Sequence, residues 1–243
     1  PLLVLFVASF FVFSSKRYCD VAPSMNTINW ALTKKIIGLG AQFFIIMVCM
    51  LFIFQVINII IVRVCGPENV TAYNIAYKYF NILNMAMMII VTPFWSACAD
   101  AYTKKDFLWM KNVIEKMEMI WKLSICVLII MILVSSTFYD IWVGDSVKIS
   151  LSLSVMVGVY ILVQNLCGIY IYMINGTSKI RLQLVVYLVS AFISVPTMYF
   201  LCSKYGITVM LLVPISVCLI QAFVAKKQLT KIIRGTASGI WIK

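Results

Sequence analysis

Long apolar runs separated by short polar gaps are the dominant pattern along this chain. A helix needs about 20 predominantly apolar residues to cross the hydrocarbon core of a bilayer, since each residue adds about 1.5 Å to its length. Runs of that length cover about 36–62, 72–97, 119–139, 149–173, 182–202 and 207–225. With a shorter run at the start, they predict an all-α, polytopic transmembrane helix bundle of six full spans plus a partial one.

The other segments complete a predicted domain organisation. Residues 1–15 have no basic residue ahead of their apolar run, unlike a signal peptide, and are predicted to be the end of a truncated transmembrane helix. Residues 16–35 are predicted to form a cytoplasmic loop. Residues 36–225 then form the six-helix transmembrane lobe, and residues 226–243 form a basic cytoplasmic tail.

Capping and proline residues modify these spans locally. Asp106 is predicted to cap an interfacial helix at about 106–118 that runs into the third span, because apolar residues recur after it at helical spacing. Pro93 removes a backbone hydrogen bond from the second span and predicts a kink. Pro196 and Pro214 are predicted to break the last two spans, either as hinges or as static kinks.

Basic residues alternate between rich gaps and poor gaps, which orients the spans. The rich gaps hold Lys16, Arg17, Lys34 and Lys35; Lys104, Lys105, Lys111 and Lys116; Lys179 and Arg181; and Lys226, Lys227, Lys231, Arg234 and Lys243. The poor gaps hold Arg63 and Glu68; Asp140, Asp145 and Lys148; and Lys204. Since cytoplasmic loops collect Lys and Arg, the rich gaps and the C-terminus are predicted to be cytoplasmic.

The composition fits a membrane protein and argues against several other classes. Hydrophobic residues make up 63% of the 243 residues, charged residues make up 12%, and the mean hydropathy is +1.03. The basic residues that give the net charge of +12 lie mainly in the gaps between the spans. No basic helix with interleaved aromatic residues stands outside the spans, so nucleic acid is not an expected partner. The chain lacks histidine, CxxC pairs and paired carboxylates, so we predict no enzyme activity, no catalytic residue, no metal site and no cofactor.

Lys78 is the most informative polar residue inside a predicted span. At about 100° per residue, Thr71, Asn74, Lys78 and Asn81 share one side of the second span, within about 80°. Charged residues inside a bilayer usually face a bundle interior or a water-filled cavity. Lys78, Asn74 and Asn81 are therefore predicted to line a substrate pathway. The alternative is a lysine that snorkels to a membrane surface about 9 Å away.

Amide residues of two other spans are weaker candidates for the same pathway. Gln55 and Asn58 lie three residues apart in the first full span, and Gln164 interrupts the fourth. The alternative for each of them is hydrogen bonding between helices that holds the bundle together. No carboxylate lies deep in any predicted span, and a pathway whose charge is cationic suits an anionic cargo such as a phosphate-bearing group.

The segment 72–111, AYNIAYKYFNILNMAMMIIVTPFWSACADAYTKKDFLWMK, carries a family resemblance. It resembles the polysaccharide flippases of the multidrug/oligosaccharidyl-lipid/polysaccharide exporter superfamily, which include the bacterial O-antigen transporters. The residues that carry the resemblance are Tyr73, Asn74, Tyr77, Lys78, Tyr79, Thr92, Pro93, Phe94, Trp95, Ala99, Asp100, Ala101, Asp106 and Trp109.

The resemblance implies the C-terminal lobe of a two-lobe, MATE-like exporter whose lobes enclose a central, often cationic lumen. The implied cargo is an undecaprenyl-pyrophosphate-linked anionic oligosaccharide, which the transporter flips across the bacterial inner membrane for surface polysaccharide synthesis. In such a protein Lys78 is a lumen residue that meets the pyrophosphate or acidic sugars. Membrane lipid and the polysaccharide polymerase machinery are the other implied partners.

Three alternatives remain open from the sequence. The chain is also compatible with a multidrug exporter or a lipid II flippase of the same superfamily. A non-transporting scaffold, or an inactive remnant of a truncated gene, is the third.

Overall fold

The structure, a computed structural model, describes residues 2–14, 18, 22, 29–144 and 147–242. Four charged residues of the predicted gaps lie outside the described residues: Lys16, Arg17, Asp145 and Lys243. In the part described, the chain forms α-helices joined by short turns, with one 3₁₀ turn near the C-terminus and no strand. The all-α prediction is confirmed.

Nine α-helices follow one another in the described ranges. They are α1 (Leu2–Ser14), α2 (Trp30–Phe54), α3 (Val56–Cys65), α4 (Pro67–Thr103), α5 (Phe107–Trp142), α6 (Leu151–Thr177), α7 (Arg181–Tyr205), α8 (Ile207–Met210) and α9 (Leu212–Ile233). By length and composition, six helical segments of this part are able to cross a membrane, where α2 with α3 and α8 with α9 each count as one. This agrees with the predicted six full spans.

The chain divides into two compact units, residues 1–41 and residues 42–243. In the first unit, α1 is apolar along its whole length and has no buried residue. The second unit holds the packed core.

Helix α2 begins at Trp30 rather than at the predicted residue 36, so 30–35 is helical and not loop. The reason is a capping residue: Asn29 accepts hydrogen bonds through Oδ1 from the backbone N–H groups of Ala31 (3.1 Å) and Leu32 (3.3 Å). An asparagine cap lets the helix begin in the polar segment, ahead of the apolar run that marks the span.

Helix α5 combines the predicted interfacial helix with the third span. Its N-cap is Asp106, whose Oδ1 accepts a hydrogen bond of 3.0 Å from the N–H of Trp109, as predicted. The 36 residues of α5 extend about 54 Å, which exceeds the roughly 30 Å of a bilayer core. Part of this helix therefore lies beyond the hydrocarbon.

The prolines act differently from one another. Helices α4 and α7 continue through Pro93 and Pro196, and the kink at Pro93 and the hinge or kink at Pro196 stay predictions. The last span is interrupted at Leu211, just ahead of Pro214. Pro214 is buried in the first turn of α9, where its missing N–H leaves no helical hydrogen bond unmade.

Glycine lets α6 pack closely against α4 and α5. A Cβ atom added at Gly176 would lie 2.9 Å from the carbonyl oxygen of Trp95 in α4, and one at Gly158 would lie 2.8 Å from Cδ1 of Leu128 in α5. Tyr79 and Phe80 of α4 pack edge to face beside Gly158. The core around them also includes Val157 and Ile161 of α6. Helix α6 is therefore the central element of the second unit.

Helix α9 continues to Ile233, past the predicted end of the lobe at residue 225. Its last turns are held by Gln228, whose Nε2 donates to the carbonyl oxygens of Lys179 (2.9 Å) and Trp241 (3.1 Å). The first residues of the predicted tail are thus part of the helical bundle.

Candidate functional site

A cavity of about 640 Å³ opens between α2, α3, α4 and α6 within the second unit. The helix is interrupted at Gln55, between α2 and α3, and this residue lies in the wall of the cavity. The cavity is lined by Met47, Met50, Leu51, Phe54, Gln55, Asn58, Tyr73, Asn74, Tyr77, Lys78, Tyr160 and Gln164.

Five of the six residues predicted for the substrate pathway share this cavity. Asn74 and Lys78 come from α4, one turn apart, and Gln164 comes from α6. Gln55 lies at the interruption between α2 and α3, and Asn58 lies in α3. The sequence thus identified the polar residues that the fold brings together, and their role in transport stays a prediction.

Asn81 is the predicted pathway residue that does not line the cavity. Its Oδ1 accepts a hydrogen bond of 3.1 Å from Nδ2 of Asn84, three residues further along α4. Helical periodicity correctly placed Asn81 near the angular position of Lys78, but the cavity ends before this turn of the helix. The Asn81–Asn84 contact is a local hydrogen bond within α4, and the predicted place of Asn81 in a substrate pathway stays a prediction.

Lys78 supplies the charge of the cavity. Its side chain is exposed, and it forms no ion pair with any described residue. No Asp or Glu is among the described residues that line the cavity. Lys78 follows the first residue of α4, Pro67, by eleven positions (78 − 67), which is about 16 Å along the helix axis. An unpaired ammonium therefore gives this cavity a net positive charge.

Two cavity amides have an oxygen without a hydrogen-bond partner. Oδ1 of Asn58 and Oε1 of Gln164 are buried atoms, and neither accepts a hydrogen bond within the described part of the chain. Hydrogen bonding between helices, the alternative interpretation of these amides, is thus not seen at these oxygens. A buried acceptor that stays unpaired costs about 1–3 kcal/mol, and rotation of either amide would present its oxygen to a hydroxyl group in the cavity.

Aromatic rings form one wall of the cavity. Tyr160 of α6 stacks at a ring-centroid distance of 6.3 Å on both Phe54 and Tyr77, and Tyr77 lies 5.9 Å from Tyr73. This wall was not among the features predicted from the sequence. A signal was available, since Tyr73 and Tyr77 are four residues apart and each immediately precedes a predicted pathway residue, Asn74 or Lys78.

The comparison with known families decides the class of protein. The MatE family model matches residues 43–200, about two thirds of the chain. The chain belongs to the MatE family. It is a membrane transporter of the MATE/MOP exporter type, and the family resemblance predicted from the sequence is confirmed at that level. Members of the MatE family are transporters rather than enzymes.

All residues that line the cavity fall inside the MatE segment. No curated protein and no solved structure matches the chain. The cargo of this MatE transporter therefore has to be inferred from the chemistry of the cavity.

Proposed function

We propose that this MatE chain is part of a flippase for a lipid-linked anionic oligosaccharide, of the undecaprenyl-pyrophosphate type, in a bacterial inner membrane. The observation that carries the proposal is the lining of the cavity, which among the described residues has one unpaired lysine, no carboxylate, four amide side chains and a wall of aromatic rings. Transport would proceed by alternating access of this cavity to the two sides of the membrane.

The charge of the cavity supports an anionic group in the cargo. A ligand that enters beside Lys78 meets a positive charge with no competing carboxylate in the described lining. A phosphate oxygen would accept a charge-assisted hydrogen bond from Nζ, which is roughly twice as strong as a neutral one. A cationic drug would instead be repelled by the same ammonium.

The uncharged lining supports a carbohydrate portion in the cargo. Sugar rings present hydroxyl groups at their edges and apolar C–H groups on their faces. The amide side chains of Asn58 and Gln164 line the cavity and would bond such hydroxyl groups on rotation, and the rings of Tyr77 and Tyr160 are flat apolar surfaces with polar hydroxyl ends.

The alternation of basic gaps supports an orientation with the C-terminus in the cytoplasm. In that orientation, the turn at Gly66 between α3 and α4 faces the periplasm, and the cavity lies toward the periplasmic half of the bundle. Surrounding lipid and the polysaccharide polymerase machinery are proposed as partners on that side.

Apolar side chains favour a second candidate function, multidrug export. Met47, Met50 and Leu51 of α2 line the cavity together with Phe54, and such a wall would also accept an amphiphilic drug. A lipid II flippase of the same superfamily is the remaining alternative, because its cargo also combines a pyrophosphate with sugars.

Deletion of the complete gene, with and without a plasmid copy, tests these candidates. We expect loss of surface polysaccharide, accumulation of lipid-linked oligosaccharide units in the inner membrane, and restoration of both by the plasmid. Growth and drug susceptibility should be unchanged. A deletion strain with normal polysaccharide but increased drug susceptibility would establish the multidrug exporter instead, and a strain that cannot grow without the plasmid would indicate the lipid II flippase.

A further inference from the structure

Two cysteines from different helices lie side by side at one end of the bundle. The Sγ atoms of Cys65 and Cys202 are 3.5 Å apart, and both residues carry free thiols. Cys65 is the last residue of α3, and Cys202 lies in the last turn of α7. They are separated by 137 positions in the chain, so their proximity is a property of the fold.

The positions of the two cysteines are alike. Cys65 directly precedes Gly66 (φ 88°), the turn between α3 and α4. The carbonyl oxygen of Cys202 accepts a hydrogen bond of 3.0 Å from the N–H of Gly206 (φ 83°), the turn between α7 and α8. The charge-poor gaps of the sequence fall at these two turns, so the predicted orientation places both thiols at the periplasmic ends of their helices.

We propose that Cys65 and Cys202 form a redox-sensitive pair that is oxidised to a disulfide fastening α3 to α7. The sulfur atoms are about 1.5 Å further apart than in a disulfide, a difference that side-chain rotation can close. Cys65 is half-buried while Cys202 is only 2% exposed, so Cys65 is the thiol that an oxidant reaches first. The periplasm is an oxidising compartment in which such bonds persist.

The oxidant is a disulfide-bearing thiol oxidoreductase, and two exchange steps balance the reaction. The Cys65 thiolate attacks one sulfur of the oxidant's disulfide, which releases one oxidant thiol and leaves a mixed disulfide. The Cys202 thiolate then attacks the Cys65 sulfur and releases the second oxidant thiol. Two protein thiols are thus oxidised while one oxidant disulfide is reduced.

The bond would act on the wall of the cavity through α3. This helix is separated from α2 by the interruption at Gln55, and it carries Asn58 into the cavity. A tether at Cys65 would fix the far end of α3 to α7, in addition to the core packing of Ile57, Ile60 and Ile61. The proposal concerns the redox state of the pair and is independent of the identity of the cargo.

The test is oxidation of the full protein in isolated membranes with diamide, which accepts two electrons and two protons to become a hydrazine. Free thiols are then alkylated under denaturing conditions, and peptides are analysed by mass spectrometry. We expect a linked Cys65–Cys202 peptide, its loss on treatment with dithiothreitol, and a rise in Tm of several degrees in detergent after oxidation. Cys126, which is exposed on α5, should be alkylated before and after oxidation.

Variants make the assignment specific. Cys65→Ser and Cys202→Ala should each abolish the linked peptide, while the matched control Cys49→Ala, from the buried face of α2, should retain it. If the unsubstituted protein gives full alkylation of both Cys65 and Cys202 after oxidation, the proposal is overturned, irrespective of how well the variants fold. A linked peptide without a change in Tm would also contradict the tether.

Discussion

Lys78 is a charged residue that a membrane-spanning helix carries without an ion-pair partner in the described part of the chain. It lies one turn from Asn74 and lines the same cavity as Tyr160, so its surrounding is polar and partly aromatic rather than hydrocarbon alone. The positive charge of the cavity therefore comes from one side chain. Substitution at this position distinguishes the effect of the charge on transport from the effect of side-chain packing.

Lys78→Ala is predicted to reduce surface polysaccharide at least about tenfold in cells that carry the complete gene. The loss of one charge-assisted hydrogen bond, about 1.5–3 kcal/mol, accounts for that factor. Lys78→Arg keeps the charge and should retain export within about twofold. The polymer is quantified on cells with equal amounts of transporter on an immunoblot.

The matched control is Lys148→Ala, an exposed lysine that lines no cavity described above and should leave export unchanged. Normal polymer from the Lys78→Ala form would remove Lys78 from the mechanism.

At the scale of the elements, α6 determines how closely the helices approach each other. Trp121 of α5 donates through Nε1 to the carbonyl oxygen of Leu162 (2.8 Å), and Tyr170 donates through its hydroxyl to Oε1 of Glu118 (2.6 Å). Lys226 of α9 reaches the same Glu118 oxygen at 3.0 Å. Together with the contact at Gly176, these bonds hold α4, α5 and α9 around α6 and so fix the positions of Tyr160 and Gln164 in the cavity.

Gly176→Ala is predicted to destabilise the transporter by about 1–3 kcal/mol, because the new methyl group would overlap with the backbone of α4. The destabilisation should appear as a lower Tm in detergent, followed by tryptophan fluorescence.

Gly40→Ala is the matched control. An added Cβ there meets no described atom within 4 Å, and alanine favours a helix over glycine by about 1 kcal/mol. Its Tm should stay equal or rise. A Gly176→Ala variant as stable as Gly40→Ala would contradict the close packing of α6 on α4.

At the scale of the whole molecule, hydropathy predicted the class and the number of spans because a bilayer demands a fixed length of apolar helix. The ends of the spans were less predictable. Asn29 extends α2 into the polar segment, and the buried, hydrogen-bonded Gln228 extends α9 beyond its apolar run. Such contacts depend on capping geometry and on tertiary neighbours, which a hydropathy profile does not contain.

The candidate site was predictable in its polar residues and not in its boundaries. A lysine and several amides inside apolar spans are costly unless they meet water or each other, so their type alone identified five residues of the cavity. Helical periodicity gave the face of α4 but not the depth at which the cavity ends, and Asn81 therefore lies outside the cavity lining. The aromatic wall comes from α2, α4 and α6 together, and the spacing of Tyr73 and Tyr77 indicates only the part that α4 contributes.

The orientation of the molecule gives a prediction at the same scale. With the basic gaps in the cytoplasm, a fluorescent protein fused to the C-terminus should fluoresce, and alkaline phosphatase fused there should be inactive. Alkaline phosphatase fused after Lys204, in a charge-poor gap, should be active. The opposite pair of results would invert the bundle and place the cavity toward the cytoplasm.

Water accessibility of the cavity wall distinguishes an aqueous cleft from a surface that faces lipid. Asn74→Cys and Lys78→Cys are labelled in membranes open on both sides, with a charged, water-borne thiol reagent, and the modified peptides are quantified. Phe192→Cys, from a strongly exposed apolar position on α7, is the matched lipid-facing control. We predict rapid labelling at 74 and 78 and none at 192, where only a lipid-soluble maleimide should react. If positions 74 and 78 behave like 192, they face hydrocarbon and the account of the cavity is wrong.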